Sequence, residues 1–377
     1  MNDRGVPGGP SDGPVDGPTD ETAGQVDHTD GQTGHTDGAT DHTDGPTDHT
    51  DDSTGHTDGQ TGHTDDSTGQ TVLVTGGAGF IGSRLAASLA PDNDVRVLDN
   101  LTTGMRSAVP DDVTFIEGDV RDATTLEAAT EDVDCIFHQA ALVSVARSTE
   151  VPRESHSINA TATLELLERA RDIDARVVLA SSAAIYGTPE SIPIDESASK
   201  TPASPYGLDK LATDHYARLY HELYGLETVA LRYFNAYGPG QQPGDYAGVI
   251  SIFVDRALDG EPIVIEGDGE QTRDFVSVDD VVRANRLAAT TDAVGEAYNV
   301  ATGRAISIRE LAELVQELTR ELTDTESEIV HDDPRPGDIR HSTGSIEKAR
   351  TDLGYEPAVD FRTGLERTIE WMHAQRG

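Results

Sequence analysis

The chain has 377 residues and a formal net charge of −41, with 69 Asp and Glu against 28 Lys and Arg. So acidic a polypeptide repels nucleic acid and anionic membrane, and its length allows one large domain or two smaller ones with ample core. A single cysteine, Cys135, excludes an intrachain disulfide, and no apolar run reaches the ~18 residues of a spanning helix.

Residues 1–70 are Gly, Asp, Thr, Pro and His, with 16 acids and one Arg. They carry too little apolar surface to offset chain entropy, so a disordered acidic tail is expected. His28, His35, His42, His49, His56 and His63 recur every seven residues, each followed by Thr-Asp. A heptad without apolar a and d positions is no coiled coil, and the repeat reads as solvated chain rather than a metal site. No metal is expected anywhere. The N-terminus lacks an apolar h-region, which points to a soluble, cytoplasmic protein. Lysine occurs only at 200, 210 and 348. Abundant carboxylate with almost no lysine looks like adaptation to high salt, as in halophilic proteins.

From Thr71 the pattern alternates. Thr71–Thr75 is a β-branched apolar run suited to a buried parallel strand. Glycines follow at 76, 77, 79 and 82, and a helix is predicted over Ser83–Ala90. Strand, glycine turn and helix form a phosphate cradle: one glycine makes the tight turn, one lets backbone approach a pyrophosphate, and one lets helix pack on strand. The next strand, Val95–Leu98, ends in Asp99, whose carboxylate can accept from a ribose 2′-OH and repel a 2′-phosphate, favouring NAD over NADP. Val113–Glu117 and Cys135–His138 read as strands, with Cys135 a packed small apolar group. Pro152–Arg171 is predicted to be one long amphipathic helix and Arg176–Ser181 the next strand. Ser204 is an N-cap with Pro205 at the first helical position, opening a helix to Tyr224. Glu227–Tyr233 is one more strand.

The expected fold is α/β, a doubly wound Rossmann sheet over 71–236 with 279–300 returning to it. Residues 237–278 and 301–377, looser and rich in Gly and Pro, are expected to form a smaller substrate-binding lobe.

Tyr206 and Lys210 lie four apart on one helix, hence on one face. An ammonium there, with a nicotinamide charge, would lower the phenol toward phenolate. Such a tyrosine can take a proton from a sugar hydroxyl while hydride leaves for the nicotinamide, with Ser182 hydrogen-bonded to the same hydroxyl.

At this point the chain resembles the extended short-chain dehydrogenase/reductase superfamily, and within it the nucleotide-sugar epimerases and dehydratases. The motifs run from TGGAGFIG at 75–82 through LDNL at 98–101, GDVRD at 118–122, HQAA at 138–141, SSAAIYG at 181–187 and SPYGLDK at 204–210. They continue with LRYFNAYGPG at 231–240, GDGEQTRDF at 267–275 and RPGDIRHS at 335–342. The resemblance implies a cofactor site made by Gly76, Gly79, Phe80, Ile81, Gly82, Asp99, Asn100, Asp119, Val120, Ala140, Ala141, Tyr206, Lys210 and Tyr233. For the UDP-sugar it implies Ser144, Arg147, Ser182, Asn235, Gly248, Val249, Arg273, Arg335, Asp338 and Ser342. Guanidinium forks suit phosphate oxygens.

Within the family, 4,6-dehydratases carry Asp-Glu after the serine and UDP-glucuronate decarboxylases a Glu at the second place, whereas this chain has Ala183 and Ala184. SSA-x-x-YG resembles the 4-epimerases, which oxidise C4, rotate the 4-keto sugar and return hydride to the other face. Ser342 stands where related epimerases restricted to non-acetylated sugars carry a bulky Tyr, so room for an N-acetyl group is implied. Gly248 departs from the Asn of many UDP-glucose epimerases, leaving glucose and N-acetylglucosamine both open, and Arg147 could meet a uronate carboxylate. A 4,6-dehydratase, a 4-keto reductase and a non-catalytic NAD-binding scaffold are the competing readings. A homodimer through Pro152–Arg171 and Ser204–Tyr224 is implied by analogy.

Overall fold

The computed structural model describes residues 68–242, 248–335 and 337–376; the histidine repeat lies outside the described residues. The chain runs β1 (Thr71–Thr75), α1 (Phe80–Leu89), β2 (Asp94–Asp99), β3 (Thr114–Glu117), α2 (Ala123–Ala129) and β4 (Cys135–His138). Next come α3 (Val145–Glu150), α4 (Pro152–His156), α5 (Ala162–Ile173), β5 (Arg176–Ser182), α6 (Pro205–Tyr224) and β6 (Thr228–Tyr233). The remainder is β7 (Asn235–Tyr237), α7 (Val249–Leu258), β8 (Ile263–Glu266), β9 (Thr272–Arg273), β10 (Phe275–Ser277), α8 (Val278–Thr290) and β11 (Glu296–Val300). It closes with β12 (Ile306–Ser307), α9 (Ile308–Thr323), β13 (Ile329–Asp332), α10 (Glu347–Leu353) and α11 (Phe361–Ala374).

Seven strands form one sheet in the order β11-β6-β5-β4-β1-β2-β3, every neighbouring pair parallel. This is the doubly wound Rossmann fold. Strand alternation sorts the core onto two faces. Val72 and Val74 pack with Leu85 and Leu89 of α1 and Val281 of α8, while Leu73 packs with Leu166 and Leu167 of α5 on the other side. The order reverses between β1 and β4, which opens a crevice at the carboxyl ends of those strands. A separate core of Phe253, Ile263, Ile265, Leu311, Val315, Leu365 and Ile369 gathers α7, β8, α9 and α11 beside that crevice.

Two expectations need correction. The first helix starts at Phe80, three residues before Ser83, because Gly79 in extended conformation serves as its N-cap. The single helix expected over Pro152–Arg171 is interrupted: α4 passes through a π-helical turn, Ser157–Thr161, into α5. The extra residue of that turn turns Asn159 inward, where its Oδ1 accepts from Leu142 N–H at 2.8 Å and its Nδ2 donates to the Leu142 carbonyl at 3.1 Å.

Candidate active site

A cleft of about 2080 Å³ runs across the carboxyl ends of the strands and reaches the second core. It exceeds the ~300–1,000 Å³ of an ordinary ligand pocket. At one end lies the glycine turn. Gly76 adopts φ +68°, and a Cβ there would stand 2.6 Å from Ala140 N. Backbone alone fits between β1 and the loop after β4. Gly79, Phe80, Ile81 and Gly82 line the cleft at the N-terminus of α1, which has no side-chain cap and so presents its N–H groups to an anion.

Asp99, at the end of β2, is buried, and its Oδ2 accepts from Ala78 N–H at 2.9 Å while Oδ1 accepts from Leu101 N–H at 2.8 Å. One carboxylate thus fixes both the glycine turn and the left-handed Leu101 (φ 58°). Beside it, Asp119 takes a fork from Arg121 (Nε at 2.8 Å, NH2 at 2.6 Å) and a bond from Asn100 Nδ2 at 3.0 Å. Those bonds, the Arg121 pair first, hold its carboxyl well below the usual range. Val120, Ala140 and Ala141 continue the wall. Phosphate cradle, ribose-height carboxylate and flat apolar walls in one groove fit a dinucleotide.

The residues expected to react, Ser182, Tyr206 and Lys210, all line this cleft. Ser182 ends β5, and its Oγ accepts from Ala184 N–H at 3.2 Å, forming a short 3₁₀ turn over Ala183–Ile185. Ser204 caps α6 by accepting from Gly207 N–H at 3.1 Å. Gly207 was not singled out in the sequence, yet a Cβ there would lie 2.8 Å from the Ala184 carbonyl. Its bareness lets α6 rest on the turn after Ser182, and the buried Tyr206 lines the same cleft as Ser182. Lys210, one turn on, is also buried and donates from Nζ to the Ala180 carbonyl at 2.7 Å.

The electrostatics differ from the expectation. Burial raises the Tyr206 phenol above its ordinary value, and the bond to Ser182 opposes that rise. Lys210 is directed at a carbonyl of β5, and burial, partly offset by Asp209, brings it down to about 8. Desolvation of both groups outweighs the lowering expected from the ammonium alone.

Tyr233 lines the cleft from the end of β6. Its hydroxyl is committed to Gln139 Oε1 at 3.2 Å and to the buried Asn285 at 2.8–3.1 Å, so the ring can serve as a wall but has no free donor. Neither amide was among the expected residues, although Gln139 sits inside the quoted motif HQAA. Asp274 was missed too. Fully buried in GDGEQTRDF, it accepts from Thr302 N–H, Gly303 N–H and Gly344 N–H, which fixes the loop carrying Arg273.

At the far end the structure brings together Asn235, Gly248, Val249, Arg273, Arg335 and Asp338. Arg273 pairs with Asp338 and Arg335 with Glu266, so both guanidinium groups are presented by carboxylates at the cleft wall. Ser144 and Arg147 line the near side, with Arg147 engaged by Glu150 at 3.1 Å and Glu154 at 3.9 Å. Ser342 is the exception: buried, with its N–H donating to the Thr272 carbonyl at 3.2 Å, it stands behind the cleft wall. Its short side chain reaches no lining position.

The profile described as NAD dependent epimerase/dehydratase family matches residues 72–301. A putative UDP-glucose 4-epimerase of Methanocaldococcus jannaschii is 41% identical over 305 residues, covering 80% of this chain and 98% of the relative. Among solved structures, the UDP-N-acetylglucosamine 4-epimerase from Methanobrevibacter ruminantium, in complex with UDP-N-acetylmuramic acid, superposes with a TM-score of 0.77 at 37% identity. It covers 82% of this chain and 99% of its own. The UDP-glucose 4-epimerase of Thermus thermophilus, in complex with NAD, gives 0.74 at 39% identity, covering 80% and 98%.

Proposed function

The chain belongs to the NAD dependent epimerase/dehydratase family, as a nucleotide-sugar epimerase with NAD as its cofactor, and we propose that it epimerises UDP-hexoses at C4, UDP-N-acetylglucosamine or UDP-glucose. One observation carries this reading: Ser182, Tyr206 and Lys210 line the same cleft, and the turn that follows Ser182 offers only Ala183 and Ala184. Elimination of water needs an acid at that turn; reversible oxidation at C4 does not.

NAD would be held by the N–H groups of Phe80 and Ile81, by Asp99, Asn100, Asp119 and Val120, and by Ala140, Ala141 and the Tyr233 ring. When bound it supplies a hydride acceptor and donor for C4 and a positive nicotinamide charge next to the phenol. Tyr206 takes the C4 hydroxyl proton and later returns it, and Ser182 orients that hydroxyl. Lys210, an ammonium below pH ~8, lies one turn along α6 from the phenol. Arg273 and Arg335 exchange their carboxylate partners for the diphosphate, with bidentate geometry available to each. The cleft's volume supports a sugar that turns while its nucleotide stays anchored. Ser342, small and withdrawn from the wall, supports admission of an N-acetyl group.

A second copy of the chain completes the proposal. Leu208, Tyr216, Leu219, Leu223 and Tyr224 form an exposed apolar seam along α6. Such a seam favours helix-to-helix pairing across a two-fold axis.

Separation of the products formed from UDP-N-acetylglucosamine and UDP-glucose in molar salt tests the reaction. The 4-epimer of at least one is expected without added cofactor. No 4-epimer from either removes the proposal, and a product formed only with added NAD(P)H replaces it with a 4-keto reductase.

A further inference from the structure

Gln139 is the first residue after β4. Its N–H donates to the Thr75 carbonyl at 3.1 Å, so the backbone there is still held beside β1. Side chains alternate across a strand. The preceding His138 points to α5, with its Nε2 2.9 Å from Thr163 Oγ1, and Gln139 points to the opposite layer, where Asn285 of α8 meets it. Gln139 is half-buried and lines the cleft. Its backbone abuts the glycine turn, since a Cβ on Gly76 would stand 2.9 Å from its carbonyl carbon, and its side chain reaches Tyr233.

Three side chains close a ring there. Gln139 Nε2 donates to Asn285 Oδ1 at 3.1 Å, Asn285 Nδ2 donates to the Tyr233 hydroxyl at 2.8 Å, and that hydroxyl donates to Gln139 Oε1 at 3.2 Å. Burial pushes the Tyr233 phenol up to about 12, so it keeps the proton the ring requires. The second Asn285 N–H goes to the Val281 carbonyl at 2.8 Å. An oxygen in its place would face that carbonyl, so the Asn285 amide has one orientation. Gln139 inherits one too, because its oxygen would otherwise face Asn285 Oδ1. Tyr233 has a second acceptor in reach, Asn285 Oδ1 at 3.1 Å, but the donor count is the same whichever takes its proton. Gln139 is left with one Nε2 proton that no described residue accepts. On an open surface water would take that proton; this amide is locked in place on the wall of a dinucleotide groove.

We propose that Gln139 is a cofactor-binding residue, its free amide N–H donating to the carboxamide oxygen of the nicotinamide. The choice of acceptor follows from the donor. A diphosphate is met by several N–H groups or by a guanidinium, and the uncapped start of α1 already supplies the former. One neutral donor suits a neutral carbonyl, and the ring it hangs from includes Tyr233, the wall proposed for the nicotinamide. Tyr233 and Asn285 are then positioning residues: neither has a proton left for the cofactor, and both fix the amide that does. This rests on NAD as the cofactor and on the reading of Tyr233, and is independent of which sugar is turned over.

The test is a competition on the full-length holoenzyme. Wild type and Gln139→Met, which keeps the length and loses the donor, are each equilibrated with equal excesses of NAD and its thionicotinamide analogue, whose sulfur is a weak acceptor. The ratio of cofactors retained is read by mass spectrometry of the denatured protein. Preference for NAD is expected to be about five-fold larger in wild type than in Gln139→Met, the size of one neutral hydrogen bond. Against the acetylpyridine analogue, which keeps the carbonyl oxygen and lacks the amide nitrogen, the two proteins are expected to agree within about two-fold. Equal preference over the thionicotinamide in both proteins overturns the proposal, and so does a difference confined to the acetylpyridine analogue.

A second measurement depends neither on cofactor exchange nor on the variant's folding. A crystal structure of the wild-type holoenzyme is expected to place Gln139 Nε2 within hydrogen-bond reach of the carboxamide oxygen, about 2.7–3.2 Å, with the three-residue ring closed. An amide directed at water, at the diphosphate or at the sugar overturns the proposal. Both readouts concern the bound cofactor alone. A protein that holds NAD yet forms no 4-epimer therefore counts against the reaction, and Gln139 is still decided by them.

Discussion

At the scale of single residues, the site is a balance between desolvation and charge. Tyr206 and Lys210 are both buried, and both are pushed toward their neutral forms. A phenol in that state is a poor base until positive charge gathers beside it, which ties base strength to the presence of the cofactor and to the ammonium. Tyr206→Phe removes the proton acceptor and little else, because the ring's packing is kept. Its turnover is expected to fall by ~10²–10⁴-fold, with NAD still bound in stoichiometric amount by mass spectrometry of the denatured protein. A variant that keeps near-full rate would show the base to be elsewhere. That these residues share one cleft was legible in the sequence because Tyr-x-x-x-Lys, the glycine turn and Asp99 each follow from local spacing. Gln139, Asn285 and Asp274 were not, since their importance lies in partners 28 or more residues away that no local pattern reveals.

At the scale of elements, α6 does two jobs on two faces. Its inner face presents Tyr206, Lys210 and Asp214, the last held by the buried Arg232 of β6 at 2.8 and 2.9 Å and by Ser181, so that strands β5 and β6 fix the helix in register with Ser182. Its outer face is the apolar seam. Leu219→Glu combined with Leu223→Glu places like charges at the centre of the proposed pairing, and light scattering is expected to show monomers where wild type shows dimers. Equal mass for the two proteins would sink the seam as an interface. The helix itself was readable to the residue, from the Ser204 cap and Pro205 to the Gly225 terminus with φ +75°. The break between α4 and α5 was not, because Pro152–Arg171 has unbroken amphipathic spacing. The π turn is set by tertiary demand, Asn159 reaching across to Leu142, which overrides a local preference for regular helix.

At the scale of the whole molecule, sequence and structure agree most closely on topology. The alternation of apolar runs and amphipathic stretches sufficed for a parallel sheet, and the strand order with its reversal between β1 and β4 explains why one crevice gathers glycines, carboxylates and the Tyr-Lys pair. Less legible was how far the crevice extends: Trp371 and Gln375 of α11 line it although they fall in no quoted motif. Surface charge is the other global property. With a formal net charge of −41 and three lysines, repulsion among carboxylates opposes the compact state, and molar salt shortens the Debye length to ~3 Å. Raising KCl from 0.1 M to 2 M is therefore expected to lift the thermal midpoint by roughly 5–10 °C. A midpoint that is flat or falling with salt would contradict a halophilic reading of the composition.

The central claim is that one bound NAD takes hydride from C4 and gives it back to the same sugar. It is tested most directly with UDP-hexose carrying deuterium at C4, incubated with the purified enzyme in H₂O with no cofactor added. Retention of the deuterium at C4 of the 4-epimer is the expected result. Loss of the label to solvent, or formation of product only when free NAD(P)H is supplied, would contradict it.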